Sequence, residues 1–144
     1  MAFKFSFQKV LDVKEKEKEF AQQEFGTAKT RQLELEEQLN ELELQKQQIF
    51  LKYDETNRKT VSELVEMQHD IEHVNRKMKQ LEVKSQQVQV EVETKQQVLI
   101  SKLQEAKMWN QWKQKSFAAF QKDMQQKEQA MLDEMAVLRY SHKV

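Results

Sequence analysis

Apolar residues recur at alternating steps of three and four along most of this 144-residue chain. The steps run Leu35, Leu39, Leu42, then past Lys46 to Ile49 and Tyr53. They resume at Leu64, Met67, Ile71, Val74, Met78 and Leu81 and, after Ser85, at Val88, Val92 and Leu99. This spacing predicts long helices joined through a coiled-coil seam. With no proline and one glycine, the chain has few places to end a helix.

The phase breaks between the two runs. From Tyr53 through Thr56 and Thr60 to Leu64, two fours follow each other where a three is due. Two readings fit: a stutter in one continuous helix, or a turn. The turn is preferred, because the segment from Asp54 to Thr60 holds no apolar residue, Asn57 suits a left-handed C-cap, and Thr60-Val-Ser-Glu63 reads as a capping box.

The predicted fold is therefore all-α, an antiparallel two-helix coiled-coil hairpin with a longer second helix. Helix one spans about residues 4–55, the turn about 56–60 and helix two about 61–140, together a single coiled-coil domain over 1–144. A turn near Arg58 sets Leu39 opposite Met78, Phe25 opposite Val92, Leu11 opposite Ala106 and Phe7 opposite Trp109. At ~1.5 Å per residue, helix one extends roughly 75 to 80 Å and helix two close to 120 Å. Helix two overhangs, and its stripe of Trp112, Phe117, Phe120, Met124, Met131, Met135 and Leu138 has no residues of helix one left to cover it. A second copy, another protein, or folding back could satisfy that stripe; a frayed tail is the plainer outcome.

Composition closes off several function classes. Charged residues make up 33% and hydrophobic ones 38%, with 24 basic against 24 acidic side chains. Mean hydropathy is −0.90 and the pI is near 6.9. A balanced chain lacks the basic stripe that nucleic acid or an anionic membrane requires, and no small-molecule substrate is indicated. The absence of cysteine removes disulfides and thiolate metal sites and fits the cytosol. No window approaches a membrane span, and Met-Ala-Phe-Lys-Phe-Ser-Phe lacks the apolar core of a signal peptide.

Candidate chemistry is sparse. There is no glycine-rich phosphate loop and no cysteine nucleophile, so the chain reads as a non-enzyme without cofactor or metal. His69 and His73 lie one helical turn apart, with Glu66 and Asp70 nearby. They lack the His-Glu-x-x-His order and an enclosing shell, so they read as surface histidines. Gly26 either permits a bend or a close backbone approach, or is merely tolerated in a long helix. Trp109 and Trp112, three residues apart on one face, either close the open end of the hairpin or anchor a partner.

Both ends of the chain resemble the FliJ family, a coiled-coil component of the bacterial flagellar type III export apparatus. At the N-terminus the resemblance is carried by FKFSFQKVLDVKEKEKE, through Phe5, Phe7, Gln8, Lys9, Val10, Leu11, Lys14 and Glu15. Near the C-terminus it is carried by Leu103, Gln104, Glu105 and Ala106, and then by Lys127, Glu128, Gln129, Asp133, Glu134 and Ala136. The layout of about fifty residues, a polar break and a longer second helix extends it over the full length. Asn110 to Ser116 depart from the usual glutamate and leucine pairing.

The resemblance implies a stalk similar to that of rotary ATPases, serving flagellum biogenesis, type III secretion and hence motility and chemotaxis. It would insert into the hexameric flagellar export ATPase and promote its assembly and activity. It would also link the ring to the cytoplasmic region of the membrane export gate and escort export chaperones. Its place would be the cytoplasm, peripheral to the cell membrane at the export apparatus. For the ring contact the candidates are Phe5, Phe7, Trp112, Phe117, Phe120, Met124 and Met131, with Lys113, Lys115 and Lys122 available to acidic pore residues. For the gate contact they are Gln38, Leu42, Ile49, Met67, Ile71 and Val74, most of which also fit the seam. The alternatives are a homodimeric coiled-coil spacer or scaffold made of one uninterrupted helix, and a holdase-type chaperone using its seven methionines. Self-association is compatible with each reading.

Overall fold

A computed structural model describes residues 2–55 and 60–142. Its helices are α1, Gln8–Asp54, and α2, Val61–His142. They form an all-α antiparallel hairpin with the longer helix second. The expected turn at about 56–60, including the Asn57 C-cap, falls largely on residues 56–59, outside the described residues. At its far side Thr60 acts as the N-cap of α2. Its hydroxyl accepts the Glu63 N–H at 3.2 Å, and its carbonyl accepts the Leu64 N–H at 3.1 Å.

α1 begins at Gln8 rather than near residue 4. Phe3, Phe5 and Phe7 alternate with polar or small residues, a period of two that suits an extended segment with its rings on one side. The Gln8 N–H bonds the Phe5 carbonyl at 3.1 Å, and the first helical bond runs from Leu11 N–H to the Phe7 carbonyl at 3.0 Å.

The chain divides into two compact units. Unit 1 comprises Met1–Glu19 with Ile100–Val144, and unit 2 comprises Phe20–Leu99.

In unit 2 the half-buried positions of α1 step by three and four from Ala21 to Tyr53, and those of α2 from Met67 to Leu99. Ala28 is fully buried, and Ala21, Leu42, Val74 and Val92 are each exposed by 9% or less. Alanine at the seam lets two backbones come close, so the smallest side chains are among the best covered. Beside the seam Arg31 forks onto both oxygens of Glu91 at 3.2 and 3.1 Å, and Lys95 pairs with Glu24 at 3.1 Å. As α1 numbers rise, their α2 partners fall, which marks the helices as antiparallel. These pairs between residues far apart in sequence overturn the single uninterrupted helix. Leu64, expected in the stripe, is 47% exposed, because α1 ends at Asp54 and offers it little cover.

Gly26 lies on the exposed side of α1, and a Cβ built there meets nothing within 4 Å. Among the described residues no close approach uses it. Gly26→Ala is expected to stabilise the helix by about 0.5–1 kcal/mol, raising the melting temperature by roughly 2–6 °C in circular dichroism. A lower melting temperature would mean that Gly26 serves a local bend.

In unit 1 the helices pack through Leu11 and Ala106, exposed by 3% and 2%. Around it Lys14, Glu17, Lys102 and Glu105 form a closed set of ion pairs. Lys14–Glu105 and Lys102–Glu17 cross between helices at 3.1 Å; Lys14–Glu17 and Lys102–Glu105 run along each helix at 3.7 and 3.6 Å. Alternating charges of this kind fix register more than they add stability.

Candidate functional surfaces

The first surface lies in unit 1 and is aromatic. Phe7 packs on Trp109 with ring centroids 5.9 Å apart, as the expected register requires, and on Trp112 at 4.9 Å. Trp109 and Trp112 are themselves 5.1 Å apart. Phe5 meets Phe7 at 6.0 Å and Trp112 at 6.2 Å, both edge to face. Such pairs contribute about 0.5–1.5 kcal/mol each beyond simple burial. The tryptophans thus close this end of the helix pair, yet Phe7 and Trp112 keep 42% and 46% of their surface exposed.

The start of the overhang is covered, contrary to expectation. Phe3, from the extended segment before α1, packs on Phe117 at 5.3 Å and on Phe120 at 5.4 Å. Phe3 was not among the sequence candidates, although the alternation that includes Phe5 and Phe7 begins with it. Met124 is half-buried, but every residue from Gln125 to His142 is exposed. Met131 is 65% exposed and Met135 56%. Lys115 and Lys122 are exposed and Lys113 half-buried.

Of the candidate ring residues, five therefore fall in two aromatic sets: Phe5, Phe7 and Trp112 form one cluster with Trp109, and Phe117 and Phe120 pack on Phe3. Met124 is half-buried and Met131 exposed.

The ion pairs bordering this cluster perturb titration. The Lys18 ammonium, 2.6 Å from Glu15, and the Asn110 amide, which donates to Glu15 at 2.7 Å, hold the Glu15 carboxyl below its ordinary 4.5. Glu105 is held below 4.5 by its hydrogen bond from Lys14 and by the charge of Lys102. Lys102 is held above 10.5 by its hydrogen bond to Glu17 and by the charges of Glu105 and Glu17.

The two depressed carboxyls stabilise the fold fully above 4.5, and that contribution is lost as pH falls through their lower folded values. The Lys102 contribution is complete below 10.5 and is lost only as pH rises through its raised value. Both tryptophans lie in unit 1, so their fluorescence reports it alone. Acidification from about pH 6 to about pH 3 is expected to lower the melting temperature read by tryptophan emission. A midpoint that stays level to pH 3 would show that these pairs add nothing.

The second set of candidates lies in unit 2. Leu42 and Val74 are buried, at 9% and 5% exposure; Ile49, Met67 and Ile71 are half-buried, and Gln38 is exposed. Five of the six are seam residues, and Gln38 alone among them is exposed. Tyr53 is half-buried, and its phenol is pushed above 10.0 by burial and then by the charges of Asp70 and Glu66. His69 and His73 are exposed. Among the described residues no helix is long and apolar enough to cross a membrane.

Of the stretches that carry the family resemblance, the N-terminal one and Leu103 to Ala106 meet in unit 1. Lys14 bonds Glu105 at 3.1 Å, while Leu11 and Ala106 are both buried. No curated protein and no solved structure matches the chain. The family model described as Flagellar FliJ protein matches residues 3–144. The chain belongs to the FliJ family and is a component of the flagellar export apparatus.

Proposed function

We propose that the chain is the coiled-coil stalk of the export ATPase, entering the hexameric ring with unit 1 and promoting its assembly and activity. The observation that carries this reading is the partly exposed aromatic residues of unit 1 followed by an exposed apolar tail on α2. A ring lined with apolar and acidic residues would cover Trp112, Phe117, Met124 and Met131 and pair with Lys115 and Lys122. The chain would act by binding, as a non-catalytic regulator, in the cytoplasm and peripheral to the membrane.

Unit 2 would supply the contact with the cytoplasmic region of the export gate. Buried Leu42 and Val74 would hold the helix pair in register there, leaving Gln38 and the exposed edges of Ile49, Met67 and Ile71 to meet the partner. Escort of export chaperones would use the same exposed helix faces.

ATP hydrolysis by the purified export ATPase, measured with and without the chain beside negative-stain images, tests the ring reading. Faster hydrolysis together with more rings is expected. No change over a wide concentration range would overturn the proposal and favour the holdase reading.

A further inference from the structure

The apolar stripe of the α2 tail is out of phase with the seam that faces α1. Within unit 1, from Lys102 to Phe120, the covered positions of α2 advance in alternating fours and threes. Successive fours then lead through Met124 to Glu128, after which threes and fours alternate again through Met131, Met135 and Leu138. The net offset is one residue, which turns the tail stripe by roughly 100° around the helix. Met131, Met135 and Leu138 are 65%, 56% and 59% exposed. A stripe with coiled-coil spacing that has turned away from α1 is built for another helix.

We propose that this helix is the tail of a second copy of the chain, paired antiparallel about a two-fold axis that passes between Gln129 and Ala130. In that register Met124 packs against the second copy's Met135, and Glu128 against the second copy's Met131, each contact occurring twice. On one flank Lys127 meets the second copy's Glu134, again twice, because both residues lie on the same side of the stripe.

Within the single chain Lys127 contacts only its own helix among the ion pairs seen, Asp123 at 3.2 Å, with 72% of its side chain exposed, and Glu134 is exposed. A parallel arrangement would bring Glu128 against its own copy in the seam, placing two carboxylates in one layer. The antiparallel one sets each against methionine. The pairing uses the tail alone and does not depend on the ring reading; because ring entry would cover the same Met124 and Met131, the dimer is the form of the chain outside the ring.

Sedimentation equilibrium of the full chain over about 1–300 µM tests it, that range covering the affinities expected of so short an interface. A monomer–dimer equilibrium is expected. Lys127→Glu and Glu134→Lys should each weaken it about tenfold, and the double exchange should restore it to within about threefold. Met131→Asp should abolish it, with helicity by circular dichroism retained. A monomer throughout the range, a dimer indifferent to Met131→Asp, or a double exchange no better than the singles would overturn the proposal. None of these readings involves the ATPase, so its failure is separable from failure of the stalk reading.

Discussion

Truncation after Lys122 is expected to abolish stimulation of the export ATPase while leaving unit 2 folded. The residues from Gln125 to His142 are all exposed, so removing them sacrifices little packing. They also carry much of the uncovered apolar surface of unit 1, including Leu132 at 59%, Val137 at 67% and Tyr140 at 75% exposure. Under the proposed stalk reading, loss of that surface would remove the hydrophobic contact used for ring entry. A helix-preserving companion, Met131→Asp, should weaken the apparent affinity by at least about tenfold, or 1.4 kcal/mol. Circular dichroism should show the truncated chain losing only the helix that was cut. Collapse of the whole helical signal would contradict the independence of the tail from the seam.

The second large effect concerns the seam of unit 2. Val74 is 5% exposed, and no basic residue occupies the next seam positions of α2, Ile71 and Met78. Val74→Asp would place a carboxylate at a buried seam position at a cost of about 3 kcal/mol. A unit of this size should then melt about 10 °C or more lower. Val83→Asp, at a position 51% exposed, should stay within about 0.5 kcal/mol of the parent. Equal losses at both positions would mean that Val74 does not face α1. The same variant tests the gate surface: if Val74 acts through the seam, loss of gate binding should follow loss of helicity.

The hairpin was legible from period and from absence. Alternating threes and fours over long stretches without proline call for coiled-coil helices, the polar break favoured a hairpin over one continuous helix, and the Thr60 cap marked where the second helix starts. The register could be read as far as Phe7 and Trp109, because it follows from where the phase breaks. Two features escaped for physical reasons. The Phe3 to Phe7 segment lies beside strong helix formers, so its period of two was absorbed into helix one. Its non-helical start and the turn at Ser6 and Phe7 go with ring packing against α2, a long-range contact that the alternation alone does not specify. Ala21 is 4% exposed, and a seam traced through large apolar side chains passes over it.

The candidate surfaces were partly legible. Exposed methionine at helical spacing announces an uncovered stripe, but the covering of Phe117 and Phe120 by Phe3 depends on tertiary structure. The hairpin-proximal candidates illustrate the reverse limit. Leu42 and Val74 have the same spacing whether they meet α1, α2 or a partner, and only burial separates those roles. Family membership adds the apparatus to which the chain belongs, while the contacts within it rest on the surfaces themselves.

The central claim, that the unit 1 end of the chain is what the export ATPase grips, is tested most directly by site-specific photocrosslinking. A photoreactive phenylalanine analogue at Met131 would be compared with one at Val83, an exposed apolar position in unit 2. The account predicts a crosslink to the ATPase from Met131 and none from Val83. Crosslinking from Val83 with silence at Met131 would contradict it.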